Sequence, residues 1–215
     1  MKHKRSFCAA MGCFVAFALW TGLLGVVDVQ PIGPRASAVG LATVNGAFHR
    51  FTGVHMWWYT VTDWMGLVPI AVAFGFAILG LTQWIRRRQL RRVDHTLFVL
   101  GGFYLVVFAL YLLFETVVIN HRPVLINGVL EASYPSSTTL LVTCVMPTAA
   151  MQCEQRIKHT VCRRWVVWAL WAFVLFMVIG RLISGVHWLS DIIGGGLLSA
   201  GLVMLYRFFA GLQTE

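Results

Sequence analysis

Arg181, His187 and Asp191 fall within one short run, Arg181-Leu182-Ile183-Ser184-Gly185-Val186-His187-Trp188-Leu189-Ser190-Asp191, set between two strongly apolar stretches. Arginine offers a permanently charged, planar fork of donors that fits phosphate oxygens. A histidine whose one ring nitrogen is held by a carboxylate keeps the other free to attack phosphorus. Ionisable groups beside hydrocarbon are costly and are kept mainly for ion paths, substrates or catalysis. The run therefore points to phosphoryl transfer at a membrane edge. If a helix starts near His187, then His187 and Asp191 stand at i and i+4 on one face, and Asp191 accepts a ring proton directly.

Two more clusters share this chemistry. The stretch from Glu115 to Ser137 contains Asn120-His121-Arg122-Pro123 and leads into Tyr134-Pro135-Ser136-Ser137-Thr138-Thr139. Arg122 and Arg181 are expected to clamp and neutralise a phosphoryl group. Pro135-Ser136-Ser137 opens a helix whose free amides and positive dipole end favour an anion, with Ser136 or Ser137 as its cap. Each piece also has a structural reading. A lone interfacial His is often a hydrogen-bonded scaffold residue, Arg-Pro and Pro-Ser-Ser are common loop and cap pairs, and Arg181 could snorkel from a helix end. Three such clusters facing one compartment favour the functional reading.

The elements that must carry these residues are membrane helices. The chain has 215 residues, of which 59% are hydrophobic and 12% charged, and its mean hydropathy is +0.76. That is far more apolar than a soluble domain. Apolar stretches run approximately 6–27, 64–85, 96–114, 138–153, 165–183 and 190–210, most of them near the ~20 helical residues that a bilayer core requires. The fourth is short and carries Pro147, which suggests a tilt, a kink or a start below the membrane surface. The expected fold is all-α, a polytopic bundle of about six transmembrane helices over residues 1–215. An outer segment spans 28–64, and the active-site loops span 115–138 and 181–191.

Of the seventeen Lys and Arg residues, only Arg35, Arg50, Arg122 and Arg181 fall on one side of this layout. The others cluster at Lys2 to Arg5, Arg86 to Arg92, Arg156 to Arg164, and Arg207. By the positive-inside rule the crowded side is cytoplasmic, both termini lie there, and the three clusters face outward across a plasma membrane. The net charge of +9 is then a topology signal, with contact to anionic headgroups as a secondary role and no nucleic-acid partner implied. Lys2 to Arg5 before an apolar run, with Ala36-Ser37-Ala38 further on, has some features of a secretory signal. The run is too long and the triplet too distant for a usual one. Cys8, Cys13, Cys144, Cys153 and Cys162 show neither a disulfide framework nor zinc spacing.

The outer segment is rich in aromatics: Phe48, Phe51, Trp57, Trp58, Tyr59 and Trp64. An interfacial belt, with an amphipathic stretch on the leaflet, is the simpler expectation. The functional alternative is a roof over the site or a guide for a lipid chain. His49, His55 and Asp63 have no partner evident in the sequence, and no metal site is expected there. Gly194-Gly195-Gly196 with Ser199, Ala200 and Gly201 serves either close helix packing or bending, and Gly66 and Gly75 are read the same way.

The three clusters together resemble the phosphatidic acid phosphatase type 2 superfamily, which includes lipid phosphate phosphatases and undecaprenyl-pyrophosphate phosphatases. The family pattern is Lys, six residues, Arg-Pro; then Pro-Ser-Gly-His; then Ser-Arg, five residues, His, three residues, Asp. In this chain the pattern reads Glu115 to Arg122-Pro123, Pro135-Ser136-Ser137-Thr138, and Gly180-Arg181 to His187 to Asp191. The resemblance implies a phosphatase that needs neither metal nor cofactor and acts on a phospholipid or polyprenyl (pyro)phosphate. His187 would become a phosphohistidine oriented by Asp191. Arg122 and Arg181 would hold the phosphoryl oxygens, and amides around Ser136 and Ser137 would complete the cradle.

Three departures bear on that implication. Gly180 replaces a serine. Thr138 stands where the family has a histidine that protonates the leaving group, and a hydroxyl is far too weak an acid for that task. A lipid phosphate leaving from a pyrophosphate needs less protonation, so a diphosphate lipid is the expected better substrate. Glu115 replaces a phosphate-binding lysine, and it would repel phosphate unless protonated, paired or turned to a cationic headgroup. It could itself be a substitute acid, with His121 a second candidate. A lipid phosphotransferase and a catalytically silent lipid-binding or transport relative are the alternatives to a hydrolase.

Overall fold

The computed structural model describes residues 2–211. The side chains of Lys2 and Lys4, read above as part of the basic end, lie outside the described residues. Among the described residues eight α-helices follow one another: α1 Lys2–Val26, α2 Ala42–Thr52, α3 Met56–Met65, α4 Leu67–Arg87, α5 His95–Thr116, α6 Ser137–Arg156, α7 Thr160–Ser184 and α8 Leu189–Phe209. The apolar stretches in the sequence correspond to α1, α4, α5, α6, α7 and α8.

Among the described residues, five spans are long and apolar enough to cross a membrane: Arg5–Val26, Met56–Arg87, His95–Thr116, Thr160–Ser184 and Leu189–Phe209. α6, the remaining helix of the six expected, is less apolar than these, and the reason is its position. α6 packs against α4, α5, α7 and α8, and it buries Thr139, Thr148 and Gln152 as well as Leu140, Val142, Cys144 and Met146. A helix enclosed by protein need not be apolar all round, because neighbouring helices satisfy its polar groups. Thr148 accordingly bonds to Tyr104 of α5 at 3.2 Å, and Gln152 to Tyr206 of α8 at 2.5 Å. Pro147 lies inside α6, which runs on through it.

α1 lies antiparallel along α8. The Phe7 ring lies 5.2 Å from that of Phe208, tilted by 51°, at one end, and Trp20 Nε1 donates to the Ser190 carbonyl at 3.1 Å at the other. The contact is close because Gly201 has no side chain: a Cβ there would lie 2.7 Å from the Phe14 ring. Gly194 likewise receives the Tyr134 ring, at 2.4 Å from a Cβ position. Gly194 and Gly201 thus serve packing, whereas Gly196 has nothing within 4 Å of its Cβ position. Gly75 has nothing within 4 Å of its Cβ position, so the packing role expected for it does not hold.

The outer segment departs from the expected surface-lying stretch. α3 continues into α4 through Gly66, which is itself in right-handed helical conformation (φ −60°, ψ −18°). α3 packs on α7, with Trp58 5.9 Å from Phe176 and Thr62 fully buried. The belt reading survives in part, since Phe51, Trp57 and Trp64 are exposed. The chain order places the start of α6 and α8 and the end of α5 and α7 at one end of the bundle. Arg86 to Arg92, Arg156, Arg163, Arg164 and Arg207 gather at the other.

Candidate active site

The loop between α5 and α6 is a narrow hairpin. Ile126 and Val129 exchange both backbone hydrogen bonds, at 3.1 and 2.9 Å, around Asn127 and Gly128. Both central residues have positive φ, 50° and 77°, the pairing that an Asn-Gly two-residue turn favours. Further along, Arg122 N donates to Glu131 O at 3.1 Å and Ser133 N to Asn120 O at 2.9 Å. The hairpin thus sets Arg122 beside Glu131 and brings Ser133 into the site.

The turn between α7 and α8 is held from outside. Gly185 has φ 67°, and a Cβ there would lie 2.0 Å from the Gly53 carbonyl oxygen, so only glycine fits. His55 N donates to Ser184 O at 3.0 Å, and His49 Nε2 lies 3.1 Å from Gly185 O. Buried Asn45 exchanges two bonds with Ser190, at 3.0 and 3.1 Å. The outer segment is therefore a brace for the His187 loop, which answers what His49 and His55 do.

His187, 4% exposed, and Asp191, fully buried, do come together, though not as the spacing predicts. α8 begins at Leu189, so His187 precedes the helix and the i, i+4 geometry does not apply. Nδ1 of His187 is 3.8 Å from Asp191 Oδ2, too far for a hydrogen bond. The Ser133 hydroxyl lies between them, 3.0 Å from Nδ1 and 2.5 Å from Oδ2. Asp191 also accepts the Trp188 N–H at 2.9 Å, as the third residue of α8 reaching back to its cap.

The ring tautomer follows from the network. Ser133 has one proton, the carboxylate takes it, and the hydroxyl oxygen must then accept Nδ1–H. Nε2 is left with its lone pair, and it has no hydrogen-bond partner among the described residues. Burial pushes the His187 pKa down to about 4, Arg122 and Arg181 push it further that way, and Asp191 opposes them. The ring is therefore neutral near pH 7.

Both arginines reach the same place. Their guanidinium carbons lie over the Tyr59 ring, at 5.9 Å for Arg122 and 5.2 Å for Arg181. Arg181, 2% exposed, gives Nη2 to Asp63 at 3.1 Å and to the Thr138 hydroxyl. Its Nε and Nη1 have no partner among the described residues, and nor do Nε and Nη1 of Arg122. Arg122 Nε is 3.1 Å from Glu131 Oε2, close enough for attraction, but the N–H does not point at the carboxylate. Arg122 Nη1, Arg181 Nε and Nη1 and the His187 Nε2 acceptor are thus left without partners among the described residues, and Arg122 Nε has only its ion pair with Glu131. An orphan donor in a protein interior costs about 1–3 kcal/mol, which suits a site built for an anion.

The remaining expected residues divide. Ser136 is the cap of α6, with its hydroxyl accepting from Thr139 N at 3.5 Å. Its own amide donates to the Asp191 carbonyl at 3.1 Å, so it is not available to the cradle as expected. Ser137 and Thr138 begin the helix, where amides lack intrahelical partners. Glu115 is exposed at the end of α5 and lines a small cleft with Tyr111, Ser133, Ser137 and His187. His121 lends its carbonyl to Trp188 Nε1 at 2.7 Å.

Sequence reasoning missed Tyr59, Ser133, Glu131 and the pairing of Asp63. Tyr59 and Asp63 share a helix face at i, i+4, and a carboxylate on an aromatic membrane-edge helix calls for a cation. Gly180 also finds its reason here. A Cβ at Gly180 would lie 2.6 Å from Thr62 Cγ2, so glycine is what lets α3 approach and set Tyr59 and Asp63 against Arg181.

The helices are of membrane-crossing length, and at one end a histidine nitrogen and two arginine forks are buried with donors and an acceptor left over. Residues 116–213 match the model of the PAP2 superfamily, which places that part of the chain in the superfamily. The fold is similar to that of the first transmembrane PAP2 type phosphatidylglycerolphosphate phosphatase from Bacillus subtilis, known from its crystal structure. The TM-score is 0.60 at 19% identity, over 93% of this chain and 94% of that one. No curated protein matches the chain in sequence.

Proposed function

We propose that the protein is an integral membrane phosphatase that hydrolyses a lipid phosphate, and preferentially a lipid pyrophosphate, on the extracytoplasmic face through a phosphohistidine. The observation that carries this reading is the set of orphaned atoms: His187 Nε2 with the Nε and Nη1 groups of Arg122 and Arg181. Nε2 attacks the terminal phosphorus, forming N–P as the bond to the bridging oxygen breaks. The leaving group takes that electron pair. Arg122, Arg181 and the first amides of α6 balance the charge that builds on the phosphoryl oxygens. Water then attacks phosphorus, N–P breaks, the ring regains its lone pair and the water proton leaves with the products.

The pyrophosphate preference rests on the leaving group. Thr138 is a weak acid, and its oxygen is engaged by Arg181. A departing lipid phosphate is stable as an anion, whereas a simple alkoxide needs a proton. Glu115, in the cleft that also reaches His187, is the substitute acid if monoesters turn over. Support for the outward orientation comes from the gathering of basic residues at the end away from His187.

The test is phosphate release by purified protein in detergent, without added metal, from a polyprenyl pyrophosphate and from phosphatidic acid, beside His187→Ala. Release mainly from the pyrophosphate, absent in the variant, supports the proposal. Equal or better turnover of phosphatidic acid sinks the preference, and Glu115→Gln at full activity then excludes the acid role. No release from either substrate moves the reading to a transferase or a silent lipid-binding relative.

A further inference from the structure

We propose that Ser133 is a positioning residue that joins His187 to Asp191 and selects the ring tautomer in which Nε2 carries the lone pair. The inference rests on the reading of His187 as the nucleophile. Its ground is geometric. In a direct pair the carboxylate would accept Nδ1–H itself, but the ring and carboxylate are 3.8 Å apart. The shortfall follows from where α8 begins: Asp191 is occupied in capping the helix through Trp188 N, and His187 lies outside it.

The Ser133 hydroxyl fills the gap with one bond in each direction, at 3.0 and 2.5 Å, and the residue is 3% exposed. Water therefore has little access to take its place. Ser133 is held in turn by the hairpin, through its N–H to the Asn120 carbonyl, two residues from Arg122. One short loop thus sets both the phosphate-binding arginine and the orientation of the nucleophile.

During attack the imidazole gains positive charge as N–P forms. The Nδ1–H bond stays intact, and the hydroxyl oxygen accepts it while donating to the carboxylate. Polarisation along this chain lets Asp191 stabilise the charged ring without touching it. No proton need change owner. Without the hydroxyl, Nδ1–H loses its only hydrogen-bond partner among the described residues, and the alternative tautomer, with its proton on Nε2, cannot attack.

The experiment compares Ser133→Ala, Ser133→Thr and His187→Ala for kcat and KM on a polyprenyl pyrophosphate. It also records the 15N spectrum of histidine-labelled protein, with the His187 signals assigned by subtraction of the His187→Ala spectrum. Ser133→Ala should lower kcat by roughly 10- to 100-fold, the range for loss of a partner that orients a functional histidine, with KM nearly unchanged. The His187 signals should shift from the bare-Nε2 pattern to a mixture, and Ser133→Thr should recover part of both. Asp191→Asn combined with Ser133→Ala should cost little more than the worse single change, because both cut one chain.

Full kcat in Ser133→Ala beside an inactive His187→Ala would overturn the role of Ser133 and leave the nucleophile standing. An active His187→Ala would instead remove the phosphohistidine reading. The nitrogen spectrum would still decide the tautomer claim, since an unchanged pattern in Ser133→Ala overturns it.

Discussion

Arg156 and Arg181 sit at opposite ends of the same bundle and are treated differently. Arg156 uses all three of its nitrogens: Nε on Gln152 at 2.9 Å, Nη1 on Asp94 at 3.0 Å and Nη2 on Thr96 at 3.4 Å. Asp94 in turn binds Gln83 at 2.8 Å and Arg87 at 3.0 Å, so one carboxylate ties α4 and α6 to the start of α5. Arg181 spends only Nη2, and Nε and Nη1 are left without partners among the described residues. A satisfied arginine holds helices together. A buried arginine with free donors destabilises the fold on its own account, and such sites are retained where a ligand uses them.

The contrast predicts opposite responses to the same substitution. Arg181→Met should cut phosphate release by about 10²–10³-fold, the range for loss of a donor to a developing oxyanion, without lowering the melting temperature. Arg156→Met should lower the melting temperature and leave kcat per folded molecule near wild type. Paired thermal-denaturation and activity measurements in the same detergent decide the matter. A destabilised Arg181→Met with normal kcat would reverse the assignment of the two ends.

Acid should reach the site late. On the proposed mechanism His187 must be neutral to attack, and its folded pKa is depressed to about 4 from the usual 6.5. The acid limb of kcat/KM should therefore fall as pH drops through about 4, with the rate still held near pH 6. A limb centred near 6.5 would mean that water reaches the ring more freely than its burial indicates.

Much of this arrangement is legible in the sequence, and the gaps share one cause. The long apolar stretches locate six helices well, and Arg122, Arg181, His187 and Asp191 converge as their spacing suggests. What fails is local register. The i, i+4 reading of His187 and Asp191 assumes a helix that starts two residues too early, and so it misses the space that Ser133 fills. Asn127-Gly128 is a hairpin signal, but a lone turn does not reveal which cross-strand side chain will face the histidine. The roles of Tyr59 and Asp63 depend on α3 meeting α7, a tertiary contact that no local pattern encodes. The stretch over α6 is read from sequence as merely short, whereas its buried Thr139, Thr148 and Gln152 mark it as the helix the others enclose.

Gly180→Ser tests how the outer segment is coupled to the site. The added side chain would restore the serine of the family pattern, yet its Cβ would press to 2.6 Å from Thr62 Cγ2. Thr62 has little freedom to yield, being fully buried with its hydroxyl bonded to the Trp58 carbonyl at 2.8 Å. Overpacking of this kind costs about 1–3 kcal/mol. Displacement of α3 should also loosen Asp63 from Arg181 and lower activity. Thr62→Ser removes the offending methyl and keeps the hydroxyl, so the double variant should recover both stability and rate. Failure of that rescue would show that Gly180 serves something other than the approach of α3.

The smallest effect belongs to the far end and separates the two ends by pH. Hydrogen bonds from Gln83, then Arg156 and Arg87, hold the Asp94 carboxyl down to about 2 from its usual 3.8. A depressed carboxyl contributes stability that is fully present above its unfolded value and is lost as pH falls through the folded one. The window is therefore from about pH 4 down to about 2. The side chain is 35% exposed, so solvent screening reduces the contribution to about 1 kcal/mol. Wild-type protein should lose thermal stability across that window, and Asp94→Asn should start less stable at pH 7 and change less on acidification. His187 gives the opposite signature at the other end, because its acid response appears in the rate at pH values where Asp94 is still ionised. Parallel acid profiles for Asp94→Asn and wild type would place the pH-sensitive stability somewhere other than this carboxylate.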